Sequence, residues 1–111
     1  MNTFVKKSDI EGLGLFASDD IKEGEFEIFS LPVHTGEITG DRFFVFDSVY
    51  DLRLSNLQYM NHSDTPNIDY IEIEGKIKIL ALRDIEKGEE LLIDYGWDEE
   101  KKNSVFGVMV N

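Results

Sequence analysis

Apolar positions along this chain come in short runs, cut by Gly, Asp, Asn and Pro, and nowhere sustain a helical period. The pattern predicts a mainly β fold, with strands near 4–7, 13–17, 26–31, 43–46, 68–74, 76–82 and 91–95. The clearest stretch surrounds Gly75: Ile71 and Ile73 alternate with Glu72 and Glu74, then Ile77 and Ile79 with Lys76 and Lys78. It reads as a hairpin carrying opposite charges on its wet face. Residues 47–57 are read as one short helix with Leu52, Leu54 and Leu57 partly buried. Asp98 reads as the cap of a helical turn past Trp97. The apolar stretch Val105-Phe-Gly-Val-Met-Val110 has to be covered by its own core, by a second copy in a homodimer, or by the mouth of an active site.

One motif is repeated. Asp20-Ile-Lys-Glu-Gly-Glu25 and Asp84-Ile-Glu-Lys-Gly-Glu89 share a form, and each follows an alanine-containing segment and precedes an apolar strand. Gly24 and Gly88 are expected at the positive φ of a turn. The echo suits two similar strand-turn-strand units and is too short for a solenoid.

With 111 residues the chain suits one domain, 1–111, with one core. Its 41% hydrophobic and 12% aromatic content exceeds that of a disordered chain. The opening residues lack a signal-like apolar run and no stretch reaches membrane-spanning length, so a soluble, unsecreted protein is expected. No cysteine is present, which excludes disulfides, thiol chemistry and cysteine-ligated zinc, and no metal site is expected. A net charge of −12, from 23 acidic and 11 basic residues, argues against nucleic-acid binding. It serves solubility, or it attracts a basic peptide.

Three strings carry candidate chemistry. Gly12-Leu13-Gly14 is by itself a turn into the strand at Leu15, and it lacks the third glycine of a dinucleotide fingerprint. Asn61-His62-Ser63 in isolation is a turn bonding its own backbone. Glu90-Leu-Leu-Ile-Asp-Tyr95 ends an apolar run on a phenol, which elsewhere is a packed strand-end Tyr.

Taken in order, Gly-Leu-Gly-Leu-Phe-Ala17, Met-Asn-His-Ser-Asp-Thr-Pro-Asn67 and Glu-Leu-Leu-Ile-Asp-Tyr95 resemble the SET-domain family of protein lysine methyltransferases, over nearly the whole chain. Asp64 stands where the family motif has Cys. The resemblance implies a β-clip of several small sheets with a knot-like crossing near the C-terminus, and S-adenosylmethionine as cofactor. Carried over, Gly12, Leu13 and Gly14 let the cofactor approach closely, Asn61 bonds its methionine end, and His62 offers backbone groups to its adenine. Trp97 covers the adenine or belongs to the core. Tyr95 corresponds to the catalytic Tyr. Phe44 takes the lysine-channel position where many members have a second Tyr, with Phe46 as a wall, unless Phe43 to Phe46 is simply core. His34, outside any motif, is expected at the surface or rim.

The implied function is methylation of a lysine on a basic protein such as a histone tail, in the nucleus of a eukaryotic host or the cytoplasm of another. The alternatives are a non-catalytic SET-like module that binds cofactor or peptide, suggested by the missing second Tyr and missing cysteines, and an acidic interaction protein.

Overall fold

The computed structural model describes residues 1–37 and 42–95. Among these, ten short strands form four small sheets. β1 (Thr3–Lys7) pairs antiparallel with β2 (Leu13–Ala17). β3 (Phe26–Phe29) and β8 (Ile68–Ile73) flank β9 (Lys76–Ala81), all antiparallel. β4 (Val33–His34) and β5 (Phe43–Val45) flank β6 (Val49–Asp51). β7 (Asn61–His62) and β10 (Leu92–Ile93) form a parallel pair. That pair is what the described residues contain of the crossing near the C-terminus. Trp97, the Asp98 turn and the apolar stretch 105–110 lie outside the described residues.

The inward residues of these sheets, among them Leu15, Tyr50, Ile68, Ile77, Ile79 and Ile93, share one buried cluster. The alternation Ile77, Ile79, Ala81 along β9 supplies its floor, as a half-buried strand should.

The repeated motif becomes a pseudo-symmetric pair. Ile21 and Ile85 exchange backbone bonds of 2.8 and 2.7 Å. Asp20 Oδ1 accepts from Lys87 N–H and Asp84 Oδ1 from Glu23 N–H, both at 2.8 Å, so each turn is capped by the aspartate of the other. Gly24 N–H donates to Ala81 O and Gly88 N–H to Ala17 O, with φ of 85° and 89°. The hairpins β1–β2 and β8–β9 are thus counterparts, and the strand after each turn bridges the other hairpin, Phe26 to Leu80 and Glu90 to Phe16.

Several expectations are corrected. The β8–β9 hairpin closes through the two residues Glu74 and Gly75, with φ of 47° and 75°, which sets Ile73 opposite Lys76 and Ile71 opposite Lys78. Its outer face therefore carries isoleucines beside lysines, not paired charges. Glu72 sits across from Ile77 and accepts the Tyr50 hydroxyl at 2.7 Å. Burial and this bond raise the Tyr50 pKa above its ordinary value. Residues 47–57 hold β6 and the start of a single 3-10 turn (Asn56–Tyr59) capped by the Ser55 side chain. Leu52 and Leu57 are buried there, while Leu54 is 93% exposed. β3 ends at Phe29 and β10 spans only two residues. The strands β4, β6 and β7 were not expected.

Candidate functional site

The strand register fixes where the three strings meet. Because β10 runs parallel to β7, with Leu92 beside Asn61 and Ile93 beside His62, the chain leaving β10 arrives at the Asn61-His62 turn. Asn67, 1% exposed, holds this strand in place: its Nδ2 donates to Glu90 O and its Oδ1 accepts from Leu92 N–H, each at 2.8 Å. Tyr95 follows, half-buried, and its hydroxyl donates to Met60 O at 2.7 Å. The phenol oxygen thus lies at the residue before Asn61, and the Tyr95 ring is 5.2 Å from that of His62.

His62 acts as a staple. Its Nδ1 accepts from Tyr95 N–H at 3.0 Å, so Nε2 carries the proton and faces Asp64 Oδ1 at 3.0 Å. Asp94 Oδ1 lies 3.9 Å from Nδ1. Tyr70 braces the same strand end from below, donating to Asp94 O at 3.1 Å. Burial, reinforced by Asp94, raises its pKa well above the ordinary phenol value, so it remains a donor.

Asn61 connects the turn to the first string. Its Nδ2 donates to Glu11 O at 3.1 Å, Leu13 O at 3.3 Å and Glu90 Oε2 at 2.9 Å. Glu90 also accepts from the buried Ser8 hydroxyl at 2.8 and 2.9 Å, and that hydroxyl accepts from Ile10 N–H. Gly12 and Leu13 are exposed, whereas Gly14 is buried, and a Cβ there would collide with the Glu90 carboxylate. Glycine at 14 therefore leaves the space in which the Glu90 carboxylate lies, and a larger residue would have to displace it.

Of the residues singled out from the sequence, the structure brings Gly12, Leu13, Gly14, Asn61, His62 and Tyr95 into one neighbourhood. Phe44 does not line an open channel: it is fully buried and stacks on Tyr70 at 4.6 Å between ring centres. Phe46, half-buried, meets the edges of Tyr50 and Tyr70. His34 lies half-buried against Phe43, with Nε2 2.9 Å from Glu37 O. Sequence reasoning assigned no role to Ser8, Met60, Asn67, Tyr70 or Glu90. For Glu90 a signal existed, since a carboxylate opening an otherwise apolar strand needs a partner if the strand is buried.

A separate cleft of about 330 Å³ lies between β1, β3 and the 3-10 turn, lined by Thr3, Glu27, Phe29, Leu54, Leu57 and Met60 among others. Among the described residues, no group of three or more His, Asp or Glu side chains could hold a metal ion.

Comparison with known proteins agrees with this geometry. The family model described as SET domain matches residues 12–96. Human Histone-lysine N-methyltransferase 2D is 30% identical over 120 residues, covering 89% of this chain and 2% of the relative. Histone-lysine N-methyltransferase EZH2 of Chaetomium thermophilum is 34% identical over 123 residues, covering 81% and 8%. The chain thus spans less than a tenth of the length of either relative. Among solved structures, the Chaetomium thermophilum polycomb repressive complex 2 superposes with a TM-score of 0.68 at 30% identity, over 88% of this chain and 15% of that one. A family model that matches most of the chain, and relatives at 30% identity or more over most of it, make this chain a member of the SET-domain family.

Proposed function

We propose that this protein is an S-adenosylmethionine-dependent lysine methyltransferase acting on a basic segment such as a histone tail. The observation that carries this reading is the 2.7 Å bond from the Tyr95 hydroxyl to Met60 O, immediately beside Asn61. It puts a phenol oxygen of defined orientation next to an amide turn and a glycine-edged strand. The curated relatives named above are histone-lysine methyltransferases by name, and an acidic chain of net charge −12 favours a basic partner.

The residues fit the cofactor. Gly12 and Leu13 offer exposed backbone, and the Asn61 amide has its N–H groups turned into the protein, leaving its oxygen to receive a donor. When bound, the cofactor supplies a methyl group activated by a positive sulfonium. Tyr95 does not need to remove a proton for the transfer. Its own proton is committed to Met60 O, so its oxygen serves as an acceptor that aligns reacting groups. A lysine amine of ordinary pKa about 10.4 becomes a nucleophile when aromatic walls desolvate it, and the half-buried rings of Phe46 and Tyr95 are our candidates for those walls. The buried Tyr70 and Phe44 hold those walls from behind.

The test is transfer of a labelled methyl group to histones and lysine-bearing basic peptides. Tyr95→Phe should lower turnover about 100-fold while the calorimetric cofactor affinity changes less than about threefold. Cofactor binding with no labelled lysine in any substrate would select the non-catalytic module instead.

A further inference from the structure

The geometry points to Glu90 as a positioning residue that sets which way the Asn61 amide faces, and thereby which end of a ligand the site accepts. This rests on the cofactor reading above. An asparagine amide can be flipped with little change of shape, so its orientation is decided by its neighbours. Here the three atoms around Nδ2 are all oxygens, two backbone carbonyls and the Glu90 carboxylate. Flipping the amide would set its oxygen against three others, with a negative charge among them. The carboxylate, the shortest and only charged of the three contacts, thus joins the two carbonyls in admitting one orientation, with both N–H groups turned inward and Oδ1 turned away.

Glu90 can do this because it is itself held. The Ser8 hydroxyl bonds both of its oxygens, and the missing side chain at Gly14 leaves the space in which the carboxylate lies. The consequence concerns ligand chemistry. An amide that presents only its oxygen welcomes a hydrogen-bond donor and repels a carboxylate, so the group received at Asn61 is the α-ammonium of the amino-acid moiety and not its carboxylate. Ser8, far from Asn61 in sequence, belongs to the same device.

Glu90→Gln keeps the shape and removes the charged member of the three acceptors, leaving the two carbonyls and a glutamine amide that can offer either an N–H or an oxygen to Asn61. Calorimetry would compare S-adenosylhomocysteine with its analogue lacking the α-amino group. The native protein should prefer the amino-bearing ligand by roughly tenfold to a hundredfold. Glu90→Gln should weaken that preference at least about threefold and raise the cofactor KM more than it lowers kcat. Without any ligand, NMR should find the Asn61 side-chain amide protons protected from exchange in the native protein and less protected in Glu90→Gln. A folded Glu90→Gln protein with the native preference and the native protection overturns the inference. If native protein bound neither ligand, the cofactor reading would fail, while the amide protection would still decide whether Glu90 orients Asn61. Should Glu90→Gln not fold, Ser8→Ala is read in the same way, since it releases one of the carboxylate's two partners.

Discussion

Two units of this molecule are built to one plan, and the candidate site occupies the place where they diverge. In the first unit, β1, β2, the turn at 20–25 and β3 follow one another; in the second, β8, β9, the turn at 84–89 and the strand from Glu90 do the same. The backbone bonds at the turns are matched pair by pair. Divergence begins in the hairpins. β8 and β9 continue to a two-residue turn, whereas β1 and β2 part at Lys7 and Leu13 and open into the loop 8–12, which carries Ser8. It continues in the third strands. β3 stays beside β9 as far as Phe29 and Ile77, while its counterpart leaves β2 after Leu91 and turns to β7. Where the second hairpin carries Lys78, with its ammonium 4.4 Å from the centre of the Phe26 ring, the first carries bare Gly14 against Glu90. Equivalent positions thus serve a solvated surface in one unit and a polar pocket in the other.

The largest expected contrast is between two asparagines. Asn2 O and Asn67 O accept equivalent backbone bonds, from Ser18 and Leu82, but the Asn2 side chain is exposed and bonds Asp19. Asn67→Ala strips partners from the Glu90 carbonyl and Leu92 N–H and should cost about 2–4 kcal/mol in urea unfolding, against less than about 0.5 kcal/mol for Asn2→Ala. Equal costs would break the comparison. Next come Gly14 and Lys78. Gly14→Ala should cost about 1–3 kcal/mol through overpacking and abolish cofactor binding, because the displaced carboxylate releases Asn61. Lys78→Ala should change stability by less than about 1 kcal/mol and leave binding intact.

The smallest effect separates Glu89 from its counterpart Glu25. Arg83 Nη2 lies 2.8 Å from Glu89 Oε2 and, with the Glu86 N–H, lowers the Glu89 pKa below its ordinary value. The folded protein then binds fewer protons than the unfolded chain. This contribution is present above the unfolded value of about 4.3 and is lost as pH falls through the lowered folded value. Arg83→Met should move the acid-unfolding midpoint slightly to higher pH, with no change at neutral pH beyond about 0.5 kcal/mol for so exposed a pair.

Strands whose partners lie nearby in sequence were legible. β1, β2, β8 and β9 were predicted to within about a residue, because alternation and flanking glycines mark them. β4 and β7 span two residues each with ladders closed by distant chain, and β6, although it pairs with nearby β5, is only three residues long, so no alternation announces them. The β8–β9 hairpin shows how one residue reverses a face. Reading Gly75 alone as the turn pairs glutamates with lysines, while the Glu74-Gly75 turn shifts the parity and sets Ile71 and Ile73 against them. The motif strings named Asn61, His62 and Tyr95, which the fold brings into one neighbourhood. The place of Glu90 depends on Ser8 and Gly14, which nothing in the order of the residues connects to it. For Phe44 the sequence left channel and core both open, and its stacking on Tyr70 from another sheet, which favours core, is not readable from its neighbours in the chain.

The bond between Ser8 and Glu90 joins residues near opposite ends of the described chain, and the hydroxyl of Tyr95 reaches back to Met60. During synthesis, then, the emerging polypeptide can complete the first hairpin early, but the bonds that join Ser8, Asn61 and Glu90 cannot form until residues 90–95 have left the ribosome and docked. Contacts of such long range make the strand after residue 90 a slow partner in folding, and the polar pocket around Asn61 is complete only when that strand has docked.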